Sequence, residues 1–110
     1  MFALRVIKAV QALPGDEVSR VLGRQLLRSG TSVGANYRAA CRAKSGADFL
    51  NKLKIVEEEC DESMYWMELL VDAGLFPKLK LSALIQEADE LLSITVAALR
   101  TARARRSVQS

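Results

Sequence analysis

The sequence predicts an all-α protein, an antiparallel up-and-down bundle of four helices. Three observations carry this. Apolar residues recur at three- and four-residue spacings along most of the 110 residues. Leu, Ala, Arg, Glu and Lys dominate, all strong helix formers, while Val and Ile never gather into a strand-like run. The breaks are few, since only two prolines and six glycines punctuate the chain. Half of the residues are apolar, enough for one core in a single domain of this length.

The first helix is expected over Met1 to Leu13, where Phe2, Val6, Ala9, Val10 and Leu13 share a face. Pro14 ends it, because proline disfavours helix at the residue before it. Asp16 is a good N-cap for a second helix from about Glu17 to about Lys44. Its apolar face reads as Val18, Leu22, Leu26, Val33, Tyr37 and Ala40. Gly30 and Gly34 weaken it, at about 1 kcal/mol each relative to alanine. A kink is possible there, but the apolar residues on either side keep one phase and favour a single helix.

Ser45-Gly46-Ala47-Asp48 reads as a turn and capping box, with aspartate in place of the usual Glu or Gln. The third helix then runs to about Ala73 on a seam of Phe49, Leu53, Val56, Cys60, Met64, Met67 and Val71. Ile55, Trp66 and Leu69 widen that seam on one flank. Gly74 is placed as the C′ residue, with Pro77 just past it. The fourth helix is expected to begin near Lys80 or Ser82, with Leu81, Leu84, Ala88, Leu91, Thr95 and Ala98 in one row. It should fray after Arg103, giving a domain over 1–106 and a disordered end over 107–110. Short connections between long helices make sequential neighbours antiparallel.

Several functions are disfavoured. The chain has no histidine, and so lacks the commonest general base and metal ligand. It cannot supply the Glu-x-x-His pairs of carboxylate di-iron bundles. Cys41 and Cys60 are not spaced as a CxxC pair and read as two reduced, buried core thiols. No evident nucleophile–base set is present, so the expectation is a protein that is not an enzyme and takes no cofactor and no metal. The start has neither a signal-peptide pattern nor an apolar run long enough for a membrane span, which points to a cytoplasmic, non-membrane protein.

The net charge of +3 hides a division. Residues 1–44 carry +6, residues 45–70 carry −5, residues 71–99 carry −2, and the remaining tail carries +4. On the second helix Arg20, Arg24, Arg28, Arg38 and Arg42 fall within about 80° of one another, opposite the apolar face and over a length of about 33 Å. Such a row can face the phosphates of RNA or DNA, and arginine's fork suits phosphate. It can equally be the solvated side of an amphipathic helix, or pair with the acidic third helix of a neighbouring subunit. Among the acids, Glu62 shares a flank with Ile55, Trp66 and Leu69, so burial there would demand a partner. Lys54 stands four residues before Glu58, a supporting pair on a helix surface. Tyr65 and Trp66 read as core or interface anchors.

The stretch SVGANYRAACRAKSGADFLNKLKIVEEECDESMYWMELL, Ser32 to Leu70, resembles the small proteins encoded by intervening sequences inside bacterial 23S ribosomal RNA genes. The resemblance extends from about Arg20 to Leu99. Its most specific parts are Ser-Val-x-Ala-Asn-Tyr-Arg at Ser32–Arg38, Ser45 with Asp48-Phe49, Lys52-Leu53, and Glu58-x-x-x-Glu62-x-x-Tyr65-Trp66-x-x-Leu69. Ala39 stands where the family commonly has glutamate. Asn36, Ser45, Asp48, Glu58 and Glu62 match family polar positions, read as hydrogen-bonding and helix-end residues. The resemblance implies a four-helix bundle that assembles with copies of itself, in characterised relatives as a pentameric barrel. Related accessory variability determinants of diversity-generating retroelements bind nucleic acid and dock a reverse transcriptase. The function expected on these grounds is a non-enzymatic oligomeric nucleic-acid-binding scaffold, either an accessory subunit of a retroelement reverse transcriptase or an rRNA intervening-sequence protein. The rival is a structural or protein-interaction module with no nucleic-acid role.

Overall fold

The computed structural model describes residues 1–109 and contains four helices and no strand among them. They are α1 (Phe2–Gln11), α2 (Glu17–Cys41), α3 (Gly46–Asp72) and α4 (Lys78–Gln109). The bundle measures 52 × 21 × 20 Å. Each helix packs antiparallel on the next, and α1 also packs on α4. The backbones of α2 and α4 do not approach each other, nor do those of α1 and α3. These are the diagonal pairs of a four-helix square.

Local chemistry sets the helix ends. Asp16 caps α2, its carboxylate accepting from Ser19 N at 3.1 Å and from Ser19 Oγ at 2.6 Å. The Ser19 hydrogen bonds hold its carboxyl below the usual carboxylate range. Ser45 caps α3 by accepting from Asp48 N at 3.1 Å. The reciprocal bond of a capping box goes one residue further back: Asp48 accepts from Lys44 N at 3.3 Å. Gly74, at φ +74°, closes α3. Leu75 N donates to Leu70 O and Gly74 N to Val71 O, both at 3.0 Å, and this pair of bonds is a Schellman end.

Three boundaries differ from expectation. α2 stops at Cys41, because its last turn tightens into bonds from Arg42 N to Ala39 O and from Ala43 N to Ala40 O, both 3.1 Å. α4 starts at Lys78, directly after Pro77, whose carbonyl accepts from Lys80 N at 3.0 Å. At its far end α4 continues to Gln109. Nothing in Thr101–Gln109 breaks a helix, and Ala and Arg propagate one already nucleated. Ser110 lies outside the described residues. α2 passes Gly30 and Gly34 as one helix.

The buried face of α2 differs from the apolar row expected for it. Leu26, Val33 and Ala40 are buried, but so are Ser19, Gly23, Ser29 and Gly30. Val18 and Tyr37 are more than half exposed. The reason is α1. A β-carbon at Gly30 would lie 2.7 Å from Val6 Cγ1, and one at Gly23 would lie 2.8 Å from Leu13 Cδ1. Two glycines seven residues apart form a flat track on which α1 sits. Tyr37 lies near the start of α1 and lines an open cavity with Phe2 and Ala3.

The main core gathers Phe2, Val6, Leu26, Val33, Val56, Cys60, Met67, Leu70, Leu81, Leu84 and Ala88. A second, small cluster of Ala40, Leu53 and Leu99 lies toward the end that α1 does not reach. Cys60 is buried as expected, and burial, helped by the Glu59 charge, pushes its thiol up to about 11. Cys41 is exposed instead, because α2 turns it away from that small cluster.

Candidate nucleic-acid interface

The arginine row of α2 divides into two kinds of position. Arg20, Arg24, Arg38 and Arg42 are exposed, and none forms an ion pair among the described residues. Arg28, at the middle of the row, is drawn onto α3 of its own chain. Its Nη1 lies 3.3 Å from Glu59 Oε2, and its Nη2 pairs with Glu62 Oε1. The same Glu62 oxygen accepts from Trp66 Nε1 at 3.2 Å. Glu62 therefore has both a cation and an indole donor, which accounts for a carboxylate on that half-buried flank.

Of the remaining family-pattern residues, Asn36, Ser45 and Asp48 brace helices. Asn36 Nδ2 donates to Ser32 O and Ser32 Oγ, both at 2.9 Å, along its own helix. Ser45 and Asp48 organise the α2–α3 turn as described above. Tyr65 is exposed and meets the half-buried Trp66 edge-on, with ring centroids 4.9 Å apart. Glu58 is exposed and forms no ion pair with Lys54 among the described residues.

Other polar contacts were not legible in the sequence. Ser63 and Ser29 are both buried, with their hydroxyl oxygens 3.0 Å apart between α3 and α2. Ser63 also reaches Glu59 O at 2.8 Å and Ser29 reaches Leu26 O at 3.3 Å. Two hydroxyl protons serve these three short distances, so at most two of them are hydrogen bonds at one time. Arg5 of α1 pairs with Glu87 of α4. Only the tertiary fold brings these partners together.

Topology also gathers charge. The end of α2, the start of α3 and the end of α4 share one end of the bundle. Residues 36–54 and 92–109 carry nine cations against Asp48 alone, a net +8, while the rest of the chain carries −5. None of these nine cations forms an ion pair among the described residues. On the side facing away from α3, beyond the start of α1, a cavity of about 590 Å³ opens between α2 and α4. Val33, Tyr37 and Arg38 line one wall, Ile94 and Thr95 the other, and Val56 the floor.

Among the described residues no group of three metal-ligating side chains occurs, and no helix is long and apolar enough to cross a membrane. The family model of the 23S rRNA-intervening sequence proteins matches residues 1–97. The chain belongs to this family. The 23S rRNA-intervening sequence fold is also seen in a solved neighbour, a protein with unknown function of the S23 ribosomal protein family from Bacteroides thetaiotaomicron. The two are 35% identical and superpose with a TM-score of 0.84, over 89% of this chain and 91% of the other. No curated protein matches the chain. The family match ends before Arg100, so the four arginines of the α4 end lie beyond it.

Proposed function

We propose that this 23S rRNA-intervening sequence protein is a non-catalytic, self-associating scaffold that binds nucleic acid through its phosphates. One observation carries the reading: Arg20, Arg24, Arg38 and Arg42 stand exposed along α2 with no carboxylate partner. Cations used only for intramolecular balance would be drawn to the acidic α3, as Arg28 is. Guanidinium groups in a row at helical spacing suit a phosphate backbone. Val18, Val21, Tyr65 and Ile94 are large apolar side chains left more than half exposed, which favours association with further copies.

The test is RNA affinity measured against salt for the wild type and for R20Q/R24Q/R38Q/R42Q. A binding scaffold loses affinity in the variant, and its log–log salt slope falls by about three, at roughly 0.7–0.9 per phosphate contact. Equal affinity and slope in both proteins overturn the reading. For the assembly, light scattering should give a mass of about 60 kDa, five chains of 12.1 kDa, if the ring implied by the resemblance forms. Copurification with a reverse transcriptase encoded nearby would identify the protein partner.

The capture of Arg28 by Glu59 and Glu62 favours a second reading, a protein-interaction module whose charges serve only helix pairing. That reading predicts no RNA binding at physiological salt.

A further inference from the structure

The four arginines at the end of α4 are not a loose basic tail. They lie on a helix that continues to Gln109, so their directions are set. Thr95 and Leu99 are buried against the rest of the bundle. Arg103 and Arg106 follow Leu99 at four and seven residues, which places them on that same inward face. The apolar row of α4 thus ends in two arginines where the helix overshoots the small Ala40–Leu53–Leu99 cluster. The solvated side of an amphipathic helix puts its cations opposite the buried row. Arg100 and Arg105 do so, at about 100° and 120° from the Leu99 direction. Arg103 and Arg106 instead continue the line of the buried row past its end at Leu99, and both stand exposed where α4 has overshot the core.

Arg106 also makes a second contact. The Arg106 side chain lies over the first residue of α3: a β-carbon at Gly46 would be 3.5 Å from Arg106 Nη1 and 3.9 Å from its Cδ. The guanidinium thus sits at van der Waals distance from the α2–α3 turn. Arg42 and Lys44 enter the same turn from α2, both exposed. The carboxylate of Asp48 accepts from Lys44 N and forms no ion pair with either arginine. Cations are concentrated here without internal compensation. From Arg100 to Ser107 no large apolar side chain is exposed, and Ile94 is the nearest such residue on α4. A membrane-docking end would carry apolar groups for insertion beside its cations. Phosphates in water need only the cations.

We infer that the α4 end and the α2–α3 turn form a phosphate-gripping face for nucleic-acid backbone, with Arg103 and Arg106 as its leading pair. This rests on the nucleic-acid reading above and extends that surface beyond the α2 row, using arginines that the family match does not cover.

The experiment compares two variants of equal charge, R103Q/R106Q and R100Q/R105Q. Glutamine preserves helix propensity, and circular dichroism with a melting curve verifies the fold of each. Binding of a labelled RNA oligonucleotide, single-stranded and as a duplex, is followed by anisotropy over a salt series. R103Q/R106Q should weaken binding tenfold or more and lower the salt slope by about 1.4 to 1.8. R100Q/R105Q should weaken it less than about threefold. Equal losses in the two variants would reduce the effect to net charge and overturn the inference. So would wild-type RNA binding in R103Q/R106Q, or a loss in that variant confined to phosphatidylserine vesicles. If R20Q/R24Q/R38Q/R42Q weakens RNA binding and R103Q/R106Q does not, only this inference fails. If the wild-type protein binds neither RNA nor DNA, the proposed function fails with it.

Discussion

The two halves of this bundle are built differently. In one, α1 completes a square of four helices and the main core fills it from Phe2 to Ala88. In the other, α1 is missing and α2, α3 and α4 continue as three helices around a cluster of only three buried residues. A 10-residue α1 is about 15 Å long, against about 48 Å for the 32 residues of α4. The three-helix half holds nine cations that form no ion pair among the described residues, and the open cavity lies where α1 begins. The half with most of the buried apolar surface carries the fold, while the half with little of it is free to carry charge. Mutual repulsion of cations is tolerated there because few core contacts depend on their spacing.

The comparison breaks if the two cores are equally important. Leu26→Ala removes a fully buried side chain from the main core and should cost about 3–4 kcal/mol. Leu99→Ala, in the small cluster beside the frayed end of the square, should cost about 2 kcal/mol, since the site can collapse or open to water. Chemical denaturation of both variants measures the ratio, and equal losses would contradict the division. Native-state hydrogen exchange should show amides near Leu53 and Leu99 opening at lower free energy than those near Leu26 and Met67.

The α1 track gives a sharper contrast within one helix. Gly30→Val places a β-carbon against Val6 and should cost about 2–3 kcal/mol, read as a lower melting temperature. Gly34→Ala meets nothing within 4 Å and should stabilise by up to about 1 kcal/mol. If Gly34→Ala destabilises as Gly30→Val does, α2 is not the continuous helix described.

The buried thiol makes the main core sensitive to high pH. Cys60 titrates near 11 in the folded chain, against 9.0 when unfolded. Between those values the folded state keeps a proton that the unfolded state has lost. Stability is therefore unaffected below pH 9 and falls as pH rises toward 11. A Cys60→Ala variant should lack this slope, and a thiol reagent at pH 8 should label Cys41 well ahead of Cys60. The smallest effect is expected at Glu62→Gln. It loses the Arg28 pair, whose side chains are 49% and 35% exposed, and should cost under about 1 kcal/mol.

How far each feature could be read from the sequence follows from the range of its cause. Asp16, Ser45 and Gly74 act on residues within one turn, so the caps and the four helices were legible directly. The seam of α3 was legible because its apolar residues face one bundle interior along their whole length. The face of α2 was misread at Val18 and Tyr37, because periodicity scores apolar character and the α1 contact selects for smallness. The arginine row was visible as a spacing, but the removal of Arg28 from it needed Glu59 and Glu62, some thirty residues away, to be placed beside it.

The sequence by itself determined four helices, their caps and a charge division, because all three depend on spacing along one chain. Only the tertiary structure decided which glycines carry α1, which arginine is neutralised, and that the ends of α2 and α4 and the start of α3 meet. Those outcomes depend on antiparallel packing, which joins residues such as Gly46 and Arg106 that no local rule connects.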